Sequence, residues 1–357
     1  MSTYIKFLSL NYLKSLGYVF LIMLSLVTIL NILTEVEFFK NYEVSAHLPF
    51  YLSVLNSFDL IFEMFPFIFL IGTQVFFVNL FNDNQINIFK YSGLKNSKII
   101  MLITFIALFL GILLITIFYS FSSNLKNVYL EYKNKYSSDN KYLAVVTNNG
   151  LWIKDFNNKK KIIVNADRID ENFLINVNIS EFDNNFNLLQ IITSEKVDIK
   201  SNNWQLIKPN FVRNNQTEEI ESAIIYSNFN YEKINTLFSN LSALSLLELI
   251  DLRNNYKQIN YSTTEIDLQL QKLISFPIYF SLMTVLSAII MFNTKTFKSI
   301  TLKIIIGLFF CVIVYYVNNL FQVLGSTNKI PLILSVWITL LILIVFNSIA
   351  ILKINEK

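Results

Sequence analysis

The sequence predicts a polytopic α-helical membrane protein with six transmembrane helices and an all-β, jelly-roll-like domain inserted after the third. Three observations predict it. The 357 residues are 54% hydrophobic and only 15% charged, with 33 Phe, whereas a soluble domain has about a quarter of its residues charged. Six windows contain no Asp, Glu, Lys or Arg: 15–34, 64–82, 99–125, 273–294, 304–328 and 330–352. About 20 residues at about 1.5 Å each cross a hydrocarbon core of about 30 Å, so each window can span. The third and fourth windows are separated by enough chain for one folded domain.

The first window follows Lys6 and Lys14 but lacks a small-x-small cleavage site and runs into LTEVEFF. It reads as a retained helix, not a signal peptide. A further apolar stretch, 234–247, is too short and too interrupted by Asn and Ser to span. Orientation follows from the basic loops. The second connection holds Lys90, Lys95 and Lys98 against Asp83, and the fourth holds Lys295, Lys298 and Lys303 with no acid. The first holds Glu35, Glu37 and Glu43 against Lys40. Both termini are expected in the cytoplasm, with the inserted domain outside.

The inserted domain reads as short strands broken by Asn- and Asp-rich turns. YLAVVTNNGLWIKDF suggests a hairpin around NNG, and FDNN and KSNN mark later turns. In FLINVNISEF, Phe173, Ile175, Val177 and Ile179 alternate with Asn176, Asn178 and Ser180, which predicts one apolar face. Leu174 is the one apolar residue on the polar face. Beyond residue 230 the pattern turns helical, and Ser245 with Glu248 forms a capping box. The expected domains are 1–125 (three spans), 126–230 (β), 231–270 (helical return) and 271–357 (three spans).

Catalytic patterns are missing. Seven glycines form neither a phosphate loop nor a dinucleotide fingerprint, and His47 is the only histidine, expected in a loop. No metal site or cofactor is expected, and the lone Cys311 lies within a span. Residues 126–270 carry 16 basic and 18 acidic side chains, which argues against a nucleic-acid surface. Asp59 and Glu63 lie on one helix face, either in interfacial water or at a polar cavity. Asn31 and Thr34 near the outer end of the first span, and Asn318, Asn319 and Gln322 in the outer half of the fifth, serve either as packing bonds or as a cavity lining.

The second connection is FNDNQINIFKYSGLKNSKII. Residues 84–92 form a short amphipathic helix that Gly93 stops. Such a helix either enters a groove on a partner or lies on lipid headgroups.

Order and spacing together resemble the LptF/LptG permeases of the lipopolysaccharide-export ABC transporter over the whole chain. The carriers are FPFIFLIGTQVFFVNLFNDNQINIFKYSGLKNSKI, NNGLWIKDF and LFQVLGSTNKIPLILSVW, and the Gly-Leu-Trp segment is similar to LptG more than to LptF. The resemblance implies that 84–92 is a coupling helix whose Gln85, Ile86, Phe89, Lys90 and Gly93 meet an LptB-like ATPase dimer. Gln85 stands where the family commonly has Glu. The resemblance also implies that spans one and five form lateral gates, with Asn31, Thr34, Asn318, Asn319 and Gln322 lining a lipopolysaccharide cavity. The family's basic residues near the outer end of span one are replaced here by the acids of NILTEVEFFK. Implied partners are an LptF-like permease and an LptC-like periplasmic β protein in the bacterial inner membrane, with ATP hydrolysed on a separate subunit. The rival readings are the LptF role itself, or a receptor or scaffold with no ATPase.

Overall fold

Two units make up the chain: Met1–Lys126 with Thr264–Lys357, and Asn127–Thr263. The computed structural model describes residues 3–45, 47–134, 136, 151–157, 160–170, 172–183, 186–213, 216–231, 234, 240–258, 262–292 and 299–355.

The first unit is helical. It contains α1 (Thr3–Phe38), α2 (His47–Glu63), α3 (Phe65–Asn82), the short α4 (Gln85–Tyr91), α5 (Asn96–Leu113) and α6 (Ser120–Asn134), the last crossing into the second unit. A six-residue π-helical segment, Leu114–Tyr119, joins α5 to α6. In the second unit α7 is Leu246–Gln258. The first unit resumes with α8 (Thr264–Phe292), α9 (Ile300–Ser326) and α10 (Leu332–Asn355). Among the described residues six helical stretches are long and apolar enough to cross a membrane: Thr3–Asn41, Phe65–Asn82, Asn96–Lys133, Thr264–Phe292, Ile300–Ser326 and Leu332–Leu352. Each contains most or all of one of the six uncharged windows. The fourth begins inside the expected helical return, and His47 opens α2 instead of sitting in a loop.

Breaks in the helices have local causes. Between α2 and α3 only Met64 intervenes, with Pro66 in the first turn of α3, where its missing N–H is not needed. Gly72 produces no break, because its role is contact: a Cβ there would lie 2.6 Å from Leu16. The π segment turns Phe118 into a cluster of rings. Its centroid lies 5.2 Å from Phe65, 6.1 Å from Phe20 and 6.2 Å from Phe58.

α3 and α8 form the heart of this unit. α3 packs against α1, α8 and α9, while α8 packs against α3, α5, α9 and α10. Lipid tails are as apolar as the side chains, so close packing and buried hydrogen bonds must hold such helices together. Both are present. The Tyr12 hydroxyl sits 3.0 Å from Thr284 and 3.4 Å from Thr73, joining α1, α3 and α8. Ser287 donates to the Leu70 carbonyl at 2.8 Å, and Asn347 to that of Leu282 at 3.0 Å.

Among the described residues the second unit holds one antiparallel sheet. Its strands are β1 (Leu151–Asn157), β2 (Lys160–Ala166), β3 (Arg168–Asp170), β4 (Phe173–Phe182), β5 (Leu188–Asp198), β6 (Asn203–Ile207), β7 (Asn210–Arg213), β8 (Gln216–Glu219) and β9 (Ser222–Tyr226). Among the described residues the path is β1-β2-β4-β5-β6-β9, with β3 beside β4, and β7 between β5 and β8. The expected strand in YLAVVT and its NNG turn lie outside the described residues. The buried face carries Leu151, Ile153, Val164, Ile192, Trp204 and Leu206. The Trp204 indole donates to the Phe229 carbonyl at 2.7 Å. Buried Asp155 accepts from the Ser227 hydroxyl at 2.7 Å and from the Asn228 backbone and side-chain amides at 3.0 and 2.8 Å. A buried carboxylate needs such donors.

The expected alternation in β4 needs correction. Leu174 is fully buried, while Phe173 and Ile175 are half-buried; Val177 and Ile179 are buried as expected. The inward set changes parity at Asn176, whose φ of 50° lies in the left-handed region that Asn tolerates. Opposite it, β5 changes parity too, between buried Ser194 and buried Val197. Strict alternation fails wherever one residue leaves the extended conformation. At the start of α7 the capping box forms, the Ser245 N–H reaching Glu248 at 2.7 Å.

Candidate functional site

α4 is seven residues long, flanked by Asn84 and Ser92, so it fills the stretch expected to form it. Its stop is explicit. Gly93 has φ 82°, its N–H donates to the Lys90 carbonyl at 3.0 Å, and the Leu94 N–H donates to the Phe89 carbonyl at 2.9 Å. That pair of bonds is a Schellman termination, and it requires a left-handed residue at Gly93.

Which face of α4 looks outward differs from expectation. Ile86 is 4% exposed and the half-buried Phe89 ring lies 6.2 Å from that of Phe7 on α1, so both turn toward the chain itself. Only Asp83 and Asn84 separate α3 from α4, and the i, i+3 apolar pair closes onto the bundle. Ile88 and Tyr91 fall on the opposite side, 63% and 92% exposed. Gln85 bonds Asp83 at 3.1 Å, and Lys90 is exposed.

The polar residues expected at a cavity are placed unequally. Asn31 is buried between α1 and α2: its amide donates to the Ser53 carbonyl at 3.0 Å, and its oxygen accepts from Asn56 at 3.1 Å. Asn56 also accepts from Lys126, which pairs with Asp59 at 3.2 Å. Asn31 therefore belongs to a packing network that links α1, α2 and α6. Thr34 bonds back to the Leu30 carbonyl at 3.3 Å on an exposed surface. On α9, Asn318 and Gln322 are half-buried and Asn319 is exposed. Both acids read as a pair in the sequence are engaged separately, Asp59 with Lys126 and Glu63 with Lys272 at 3.1 Å.

α1 and α9 are the helices with outward surface to spare. Each buries 22% of its most apolar window, against 61% for α3 and 78% for α8. Along α9, Ile305, Phe309, Val312, Tyr316, Leu320 and Val323 are exposed at helical spacing. Sequence reasoning missed the bundle contacts of Lys126 and Lys272, and it placed Lys303 in the fourth connection, whereas Lys303 is buried in the first turn of α9. Their one signal was position, since each lies at the edge of an uncharged window. Among the described residues no group of three His, Cys, Asp or Glu could hold a metal.

Six candidate spans among the described residues, a β unit inserted between the third and fourth, and a short helix between the second and third define a polytopic membrane protein. The chain matches the family model for the lipopolysaccharide export system permease LptF/LptG over residues 8–353, and it belongs to that family. It is thus an inner-membrane permease subunit of lipopolysaccharide export. A comparison with curated proteins returned no match.

Proposed function

We propose that this chain takes the LptG role in an ABC exporter that extracts lipopolysaccharide from the outer leaflet of the inner membrane. It pairs with an LptF-like permease, and α1 and α9 of each chain border a lipid-sized cavity. α4 faces the cytosol and docks in a groove of an LptB-like ATPase, two copies of which hydrolyse ATP. Their closure travels through α4 as rigid-body motion, the cavity narrows, and the lipid passes to the β unit. The β unit hands it to an LptC-like protein by strand continuation at a sheet edge.

The observation that carries this reading is the outward face of α4. Tyr91 at 92% exposure and Ile88 at 63% are costly surface for a seven-residue helix, and they suit a partner's groove. Helix α4 is seated on the bundle by Ile86 and stopped by Gly93. The docking face is therefore Ile88 and Tyr91. A photo-reactive residue in place of Tyr91, activated in native membranes, should trap the ATPase subunit. A clean lane, in a preparation where the same probe at Leu320 on α9 traps a second permease, would leave α4 without its docking role.

A further inference from the structure

One turn into α9, Lys303 is 4% exposed. Its ammonium donates to the Met291 carbonyl at 2.8 Å, in the last described turn of α8. The same ammonium lies 5.5 Å from the centre of the Phe81 ring in the last turn of α3, a distance at which the ring face attracts a cation. Phe81 in turn meets Phe292 at 5.8 Å. The Lys303 carbonyl accepts from the fully buried Gln74 of α3 at 3.0 Å. Gln74 reaches it because residue 307 is Gly: a Cβ there would lie 2.0 Å from the Gln74 amide nitrogen. One lysine thus gathers α3, α8 and α9 at the end of the bundle where α3 passes into α4.

Packing alone does not account for a charge there. A buried ammonium costs free energy that an apolar side chain of similar shape avoids. What Lys adds is a flexible stem with a rotatable donor. Through that stem the first turn of α9 is tied to α8 at Met291 and to α3 at Phe81, beside the packed rings of Phe77 and Phe292. We propose that Lys303 is the positioning residue that carries movement of α4 and α3 into α9. The inference rests on the docking role assigned to α4 above.

The test uses the full complex of both permeases and the ATPase, reconstituted in liposomes, with ATP hydrolysis and lipopolysaccharide release measured together. Lys303→Met should assemble and hydrolyse ATP while lipid released per ATP falls about tenfold, within the range that residues linking two sites typically change. Lys303→Arg, which keeps a donor, should recover most of that ratio; a purely structural lysine would alter assembly and leave the ratio unchanged. Gln74→Leu, which frees the Lys303 carbonyl, should lower the same ratio and decides the matter if Lys303→Met does not assemble. A wild-type ratio in the assembled variants overturns the inference and leaves docking intact. A wild-type chain that takes up no ATPase overturns the docking reading, and this inference with it, before any variant is compared.

Discussion

Helices α8 and α9 are neighbours in the chain and similar in apolar character, with mean hydropathy of 2.0 and 2.4 over their most apolar windows, yet they do opposite things. α8 buries 78% of its window inside the chain and α9 only 22%. α8 is gripped on several sides, by α3, α5, α9 and α10, and its contacts are close: a Cβ at Gly111 of α5 would fall 2.7 Å from the Pro277 Cα. α9 presents a stripe from Ile305 to Val323 to whatever surrounds it. Hydropathy reports that a helix lies in the membrane, and small residues and buried polar bonds report what it packs against. α8 is a scaffold within one chain, whereas α9 has surface left for lipid or a second chain.

The comparison breaks most sharply at Gly111. Gly111→Val should push α5 off the Pro277 backbone and cost about 3 kcal/mol, at the upper end of overpacking effects, read as a lowered unfolding midpoint of the detergent-purified chain. Next comes Gly93→Val. A Cβ at Gly93 meets nothing within 4 Å, so the cost of about 1–2 kcal/mol is conformational, from forcing a β-branched residue to positive φ. Its expected readout is loss of ATPase from the purified complex with the six spans intact. Tyr12→Phe removes the hydroxyl shared by Thr73 and Thr284 and should cost about 0.6 kcal/mol, the mean for hydrogen bonds between membrane helices. Smallest for the isolated chain is Phe309→Ala on the open face of α9. It should change stability by under about 0.5 kcal/mol, as exposed substitutions do, while reducing recovery of the second permease. A large loss of stability at Phe309, or none at Gly111, would erase the distinction between the two helices.

Much of this architecture is legible in the sequence, because its signals are long. Six uncharged windows specify six spans, and the Ser245–Glu248 spacing specifies the start of α7. Gly93 could be read as a helix stop because few residues but Gly take its φ of 82°. Rotation is where sequence reading failed. Ile86 and Phe89 show the right spacing for a face, but a seven-residue helix can turn that face inward or outward, and only its attachment to α1 and α3 decides. β4 failed for the same reason: one left-handed Asn176 moved Leu174 inside and turned Phe173 and Ile175 partly out. Asn31 shows the limit for polar residues within spans. Its binding to Ser53 and Asn56 depends on a helix some 20 positions along the chain, which no local pattern encodes.

Native mass spectrometry of this chain, purified gently from its own membranes, tests the central claim most directly. The account predicts one assembly containing two ATPase copies, a second related permease and an adduct with the mass of lipopolysaccharide. A chain recovered alone, or bound only to a periplasmic protein, would contradict it.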